Sequence, residues 1–128
     1  MQRNSCKINE IHVNTIALKA RLDNQECGYL WKRSSESNGK WQMKWFALYQ
    51  NFLFYYENVN STKPLGLILL ESCYCNRIIT NTKNTKEGEI KLYCFSISFT
   101  KDNKNSIEFG AQSEDECIQW IESIQNCR

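Results

Sequence analysis

CGYLWKRSSESNGKWQMKWFALYQNFLFYYE, residues 27–57, is the stretch that decides the fold. Its first two apolar runs flank a short polar turn, and each run alternates in the way that β-strands do. Leu30 and Lys32 share one face of the first run, and Lys44 and Phe46 share one face of the second. The stretch therefore predicts an antiparallel hairpin whose inner face is apolar at its base and basic at its tip, as in a barrel with a charged mouth.

The same kind of pattern continues to residue 111. Short apolar runs separated by polar turns predict a mainly β domain, a barrel or sandwich of seven antiparallel strands. The predicted strands are Cys27–Ser34, Lys40–Tyr49, Phe52–Glu57, Leu65–Leu70, Cys73–Ile79, Leu92–Thr100 and Ser106–Ala111. In the sixth strand four large apolar residues alternate with small ones, so one face of that strand belongs to the core.

The final segment, SEDECIQWIESIQNC at residues 113–127, changes to a helical period. Ser113 can cap a helix, with Glu116 three residues later completing a capping box. The residues Cys117, Trp120, Ile121 and Ile124 recur at spacings of three and four and form one apolar stripe. We therefore predict a C-terminal helix that closes an open end of the barrel, with Trp120 as its structural marker in the core.

Residues 1–26 carry a weaker signal. The spacing of Ile8, Ile11 and Leu18 fits one face of a helix, although Ile11 and Val13 also alternate as in a strand. We favour a short helix around Val13–Arg21. The predicted organisation is an N-terminal extension, residues 1–26, that packs on a single domain formed by residues 27–128.

Composition limits the class of protein. A chain of 128 residues with 41% hydrophobic residues can bury one core. It has no run of eighteen apolar residues and no apolar stretch near its start, which predicts a soluble, intracellular protein. A net charge of +2 is too small to indicate general nucleic-acid binding.

Seven cysteines without any C-x-x-C pair form a poor disulfide framework and a poor zinc site. We expect reduced thiols, several of them in the core, and neither a metal nor a cofactor. Cys73 and Cys75 share a strand face, but no histidine or further cysteine lies near them in the sequence. The single histidine, His12, leaves little basis for nucleophilic catalysis, and no phosphate-binding loop motif occurs. We predict no catalytic residues and no enzymatic activity.

The motifs together resemble those of a known family. The stretches G-Y-L-W-K-R at 28–33, K-W-Q-M-K-W-F-A-L at 40–48 and F-L-F-Y-Y-E at 52–57 resemble the opening of a pleckstrin-homology (PH) domain. A terminal helix with a tryptophan such as Trp120 is the family's other marker. This resemblance implies a strongly bent seven-stranded barrel capped by one helix, with the first inter-strand loop binding phosphoinositide headgroups in many members.

A closer resemblance is to the amino-terminal PH domain of Ras-specific guanine-nucleotide-releasing factors. It is carried by K-R-S-S at 32–35, K-W-F-A-L at 44–48 and G-L-I-L-L-E-S-C at 66–73. In the N-terminal segment the matching residues are Asn9, His12, Val13 and Arg21. The resemblance implies a cytoplasmic exchange factor for Ras-type and Rho-type GTPases, of which this chain would be a piece without the exchange domains.

The resemblance also implies positions for a headgroup site. Lipid-binding members carry a basic residue at the end of the first strand and two more that alternate before the tryptophan-phenylalanine pair of the second. Lys32 matches the first position and Lys44 the last, whereas Gln42 occupies the middle one. Phe54 is expected where strong binders have a tyrosine, and Leu65 where they have a basic residue. Each departure removes a hydrogen bond to phosphate, so weak, salt-sensitive binding is expected.

The predicted headgroup-binding residues are Lys32, Arg33, Lys40 and Lys44. At about 1 kcal/mol each near an anionic leaflet, they would give about 4 kcal/mol, which corresponds to a millimolar complex. We therefore expect a monomeric domain that binds anionic lipids or phosphoinositides at the inner face of the plasma membrane, in concert with a second anchor. A solvated basic hairpin without any ligand stays open as the alternative.

Three tryptophans, Trp31, Trp41 and Trp45, alternate with the inward residues of the hairpin. They are expected either to pack on the outer face beneath a helix or the N-terminal segment, or to form a protein-contact patch. The second reading leads to the alternative function, a protein-protein interaction module with no significant lipid binding.

Overall fold

The computed structural model describes residues 10–101 and 105–127. Its elements are α1 (Glu10–Leu22), β1 (Glu26–Arg33), a 3-10 turn (Ser35–Ser37), β2 (Gln42–Tyr49), β3 (Phe52–Tyr56), β4 (Gly66–Leu69), β5 (Tyr74–Arg77), β6 (Asn81–Thr85), β7 (Gly88–Ser98), β8 (Ile107–Ala111) and α2 (Glu114–Cys127). Residues 1–9 of the predicted extension, and with them Ile8 and Asn9, lie outside the described residues. The predicted helix near Val13–Arg21 is present and is longer than expected.

The strands form a curled antiparallel sheet in the order β4-β3-β2-β1-β8-β7-β5, with β6 beside β7. The predicted mainly β fold with a C-terminal helix is confirmed. Residues 10–101 and 105–127 form eight strand segments, one more than the seven predicted. β5 pairs with the second half of β7 and β6 with its first half, so β5 and β6 together occupy one edge of the sheet. β6 was not predicted, since its sequence NTKNT has no apolar alternation.

The concave face of the sheet carries the main core. Phe109 stacks on Phe95 with ring centroids 5.0 Å apart and meets Phe46 edge-on at 5.5 Å. Trp120 of α2 is only 2% exposed in the same cluster, which confirms its predicted place. Aromatic side chains of this size dominate the hydrophobic free energy of a small domain, so this cluster fixes how the sheet curls.

Helix α2 begins where its sequence predicts. The Glu116 amide donates a hydrogen bond to Ser113 Oγ at 3.2 Å, and three acids occupy the first turn, where the helix dipole favours negative charge. At the other end, Ser123 donates to Glu26 at the start of β1 and so fastens the helix to the sheet. Among the described residues, no helix is both long and apolar enough to span a membrane.

Helix α1 covers part of the convex face. Ala17 and Ala20 are completely buried against Trp45 and Tyr56, and the Tyr56 hydroxyl donates to the Ala17 carbonyl at 2.9 Å. The Arg21 guanidinium lies 5.5 Å from the centroid of the Trp45 ring and 5.4 Å from that of Tyr56. Small side chains let α1 approach the sheet closely, so the sheet has an apolar layer on both faces there.

Replacing Ala20 by aspartate tests whether α1 belongs to the folded unit. An unpaired carboxylate at a completely buried position is expected to lower the free energy of unfolding by about 2 to 4 kcal/mol. The control is Leu18→Asp, which places the same acid on the exposed side of the same helix. Urea unfolding of both variants would give the comparison, and equal losses would show that α1 is not packed as described.

The Tyr56 hydroxyl makes the stability depend on alkaline pH. Burial raises the pKa of Tyr56 from 10.0 to about 12, while the Arg21 guanidinium acts in the opposite direction. Because the folded pKa exceeds the unfolded one, this contribution is complete below pH 10 and is lost as the pH rises through about 12.

Tyr56→Phe is therefore expected to cost about 1 kcal/mol at neutral pH and to flatten the decline in stability above pH 10. The measurement is the free energy of unfolding against pH, with Tyr74→Phe as control. If the Tyr56→Phe and native curves run parallel through this range, the hydroxyl is not buried in the native state.

Candidate anion-binding site

An open pocket of about 380 Å³ lies at the tip of the β1–β2 hairpin. It is lined by Lys32, Ser37, Gln42, Lys44, Tyr55, Glu57 and Leu65. The loop between the strands is held locally: the Ser34 amide donates to Ser37 Oγ at 3.2 Å, and the Ser37 hydroxyl donates to the Lys40 carbonyl at 2.9 Å. Gly39 closes this turn with a φ of +75°, a conformation that glycine adopts without strain.

The strand register brings the two lysines into the pocket. Leu30 pairs with Lys44 and Lys32 pairs with Gln42, so all four side chains are on the concave side of the hairpin. Lys32 is only 7% exposed, and its ammonium lies 5.0 Å from the centroid of the Tyr55 ring. A cation over an aromatic face is attracted by the ring quadrupole, which compensates part of the cost of burying Lys32.

Lys44 faces an acid in the same pocket. Its Nζ lies 2.7 Å from Glu57 Oε1, and the Lys44 side chain is 19% exposed whereas that of Glu57 is 62% exposed. Glu57 was not singled out from the sequence. The sequence does contain a signal for it. A two-residue turn after Tyr49 pairs Trp45 with Tyr56, and the next pair in the same register is Lys44 with Glu57.

The aromatic residue of the site is Tyr55, and the expectation of Phe54 at this position was wrong. Phe54 is completely buried on the convex face, in the cluster that α1 covers. Tyr55 pairs with Phe46, whose side chain is in the concave core, and alternation within the strand places Tyr55 on the concave side as well. Leu65 lines the pocket as expected and is 56% exposed.

Gly66 makes the position of Tyr55 possible. A Cβ atom built on Gly66 would collide with the Tyr55 hydroxyl and ring, so the absence of a side chain there lets the ring lie across β4. The Leu65 amide donates to the Tyr55 carbonyl at 2.8 Å and keeps the two segments together. Gly66 therefore positions the ring that contacts Lys32.

The two other predicted basic residues do not line the pocket. Arg33 follows Lys32 on the strand and so points to the convex side, where its Nε donates to Glu108 Oε1 at 2.5 Å and its guanidinium lies 4.4 Å from the centroid of Trp41. Lys40 is exposed in the hairpin loop. The pocket is thus lined by two of the four predicted bases, and Lys40 lies in the same hairpin loop as the lining residue Ser37.

The three tryptophans of the hairpin differ in how deeply they are buried. Trp45 is 7% exposed beneath α1, which confirms outer-face packing and removes it from any contact surface. Trp31 and Trp41 are half-buried, with the Lys83 ammonium 4.9 Å from the Trp31 centroid and Arg33 over Trp41. Trp31, Trp41 and Trp45 therefore do not form one exposed patch.

The cysteines from Cys27 to Cys127 and the single histidine are not among the residues that line this pocket. Within residues 10–101 and 105–127, no three side chains of His, Cys, Asp or Glu are grouped as metal ligands would be. Cys73 and Cys75 are buried in the core, and burial raises the pKa of Cys117 to about 11, which disfavours its reactive thiolate. His12 is exposed on α1.

A protein-family model for the PH domain matches residues 25–128. The chain belongs to the PH domain family. PH domains are non-catalytic modules. Among solved structures, the human KIAA0053 PH domain is 26% identical with a TM-score of 0.60, over 81% of this chain and 87% of that one. The carboxyl-terminal PH domain of pleckstrin is 25% identical with a TM-score of 0.62, over 81% and 95%, and that domain has also been solved with D-myo-Ins(1,2,3,5,6)P5.

Sequence relatives include signalling proteins. Human Ras-specific guanine nucleotide-releasing factor 1 is 41% identical over 120 residues, which are 92% of this chain and 9% of the relative. Ras-specific guanine nucleotide-releasing factor 2 of Danio rerio is 38% identical over 123 residues, 94% and 10% of the two chains. This PH domain therefore spans about a tenth of the length of these relatives.

Gly66→Ala is expected to displace the Tyr55 ring and weaken its contact with Lys32, at a cost of up to about 1 kcal/mol of unfolding free energy. The matched background is Tyr55→Ala, in which the colliding ring is absent. In the Tyr55→Ala background, Gly66→Ala should change the free energy of unfolding only through the effect of an alanine in β4. A double-mutant cycle by urea unfolding measures the difference, and additive losses would refute the positioning role of Gly66.

Proposed function

We propose that this PH domain is a membrane-targeting module of an intracellular signalling protein, a Ras guanine-nucleotide exchange factor, and that it binds anionic or phosphoinositide membranes weakly. The observation that carries the proposal is the convergence of Lys32 and Lys44 in one open pocket at the tip of the β1–β2 hairpin. Two ammonium groups that face the same space offer donors and positive charge to a phosphate.

The four predicted residues have different roles in this proposal. Lys32 and Lys44 contact the headgroup, and Lys40 in the exposed hairpin loop adds charge near the membrane surface. Arg33 contributes least because it lies outside the pocket, on the opposite face of β1, where it is paired with Glu108. Gln42 and Leu65 line the pocket without a charge, so fewer charge-assisted bonds to phosphate are available. Recognition of a single phosphoinositide stereoisomer is therefore not expected.

The positive charges of the hairpin set the expected affinity for an anionic membrane. Lys32, Lys40 and Lys44 would contribute about 1 kcal/mol each near an anionic leaflet, which is weaker than the roughly 4 kcal/mol of a millimolar complex. A module of this strength acts together with other membrane or partner contacts in the same protein. Since the relatives are about ten times longer than this chain, a full-length protein of that size has room for such contacts. The proposed location is the cytoplasmic face of the plasma membrane.

Replacement of Lys44 or Lys32 by glutamine tests the proposal. Each variant is expected to bind vesicles of phosphatidylcholine and phosphatidylserine about fivefold more weakly than the native domain at low salt, since one charge contributes about 1 kcal/mol. Sedimentation with such vesicles, with and without phosphatidylinositol bisphosphate, measures this. Binding should also fade at physiological salt.

Arg33→Gln is the matched control for Lys32→Gln, because it removes the same charge from the next residue on the opposite face of β1. A clearly smaller loss in Arg33→Gln supports the pocket. Equal losses would mean that net charge alone matters. Salt-insensitive association that survives both lysine changes would point to the alternative, a protein-interaction module, and would overturn the lipid proposal.

A further inference from the structure

The pocket contains a residue that opposes the function proposed for it. Glu57 is the first residue after β3, and its carboxylate contacts Lys44 Nζ at 2.7 Å inside the pocket. A carboxylate oxygen, like an oxygen of a phosphate ligand, carries negative charge and accepts hydrogen bonds. The Lys44 ammonium is therefore already engaged by an anion that belongs to the protein.

The backbone that carries Glu57 is held in place on both sides. Before Glu57, the Tyr56 hydroxyl donates a hydrogen bond to the Ala17 carbonyl of α1. After Glu57, the Val59 carbonyl accepts a hydrogen bond from the Arg21 guanidinium at 2.5 Å, and the Val59 amide donates to the Tyr29 hydroxyl at 3.0 Å. The Glu57 side chain itself is 62% exposed, so it can turn into solvent while its Cα stays opposite Lys44.

We propose that Glu57 is an internal, displaceable occupant of the Lys44 anion site and that it sets the affinity of the domain for anionic ligands to a low value. This inference rests on the function proposed above and identifies what regulates the same pocket. A phosphate group that reaches Lys44 must either displace the Glu57 carboxylate or bind beside it, and both alternatives weaken binding because like charges repel.

We expect the effect to be strongest at Lys44. The acid is close to Lys44, whereas the ammonium of Lys32 lies over the Tyr55 ring. Exposed ion pairs are weak, so Glu57 reduces binding at Lys44 without abolishing it. Removal of Glu57 should then increase the affinity only while Lys44 is present.

The experiment compares the native domain with Glu57→Gln, Lys44→Gln and the double variant. Glutamine keeps the size of the side chain and removes its charge. The matched control is Glu122→Gln, which makes the same change in net charge on an exposed residue of α2. Glu122 is next to Ser123, which contacts Glu26 at the end of β1 that is remote from the pocket.

The probes are phosphatidylcholine vesicles with phosphatidylserine, the same vesicles with phosphatidylinositol bisphosphate, and free inositol hexakisphosphate. The vesicles and the soluble phosphate distinguish a membrane headgroup from a free phosphate as the source of the anion. Glu57→Gln is expected to bind at least one probe about two- to fivefold more tightly than Glu122→Gln does, and this gain should disappear in the Lys44→Gln background.

The outcomes separate the two proposals. If the native domain binds through Lys44 but Glu57→Gln behaves like Glu122→Gln, Glu57 is no competitor and the membrane function stands. If the gain persists without Lys44, Glu57 acts through the general field and the inference is also overturned. If only Glu57→Gln binds, and does so through Lys44, the inference holds and the native domain is no lipid-binding module by itself. If no variant binds any probe, both proposals fail.

Discussion

The antiparallel register of β1 and β2 is the constraint on which the rest of the structure depends. It pairs Leu30 with Lys44, and alternation then places Lys32 and Lys44 on the concave side, above the aromatic core formed around Phe46 and Phe109. A shift of the register by one residue would turn the lysines outward and Trp45 inward. The core at the base of the hairpin excludes such a shift, so the hydrophobic packing of one end positions the charges of the other.

Packing on the convex face of the sheet also stabilises this register of β1 and β2. Trp45, Phe54 and Tyr56 form a second apolar layer that α1 covers, although the PH family model begins only at residue 25. In this chain the domain therefore has packed residues on both faces of β2 and β3. That layer also reaches the pocket, because β3 carries Tyr56 on one face and Tyr55 on the other, and the loop that follows is held by Arg21 of α1. The N-terminal helix and the pocket are thus parts of one structure.

Much of the fold and part of the pocket could be predicted from the sequence, because apolar and polar residues alternate clearly in a strand that buries one face. The hairpin, the inward lysines, α2 and the core position of Trp120 follow from such patterns. β6 could not be found in this way, because both its faces are polar and only its pairing with β7 defines it. The error at Phe54 has a different cause: FLFYY is apolar or aromatic at every position, so alternation alone does not show which residues face inward, and only the turn that joins β2 to β3 does. Arg33 was grouped with Lys32 by proximity in the chain, although adjacent residues of a strand face opposite ways.

The acid in the pocket is the feature that general sequence reasoning handles least well. A count of basic residues around the hairpin assigns a strongly positive tip, whereas the structure leaves Lys40 exposed and places the other three bases in three different environments. Lys32 is buried over an aromatic ring, Arg33 is paired with Glu108, and Lys44 is paired with Glu57. The charge that is available to a ligand is consequently smaller than the formal charge of the segment. The pairing partners of the bases, more than their number, therefore determine how strongly a pocket of this kind attracts an anionic surface.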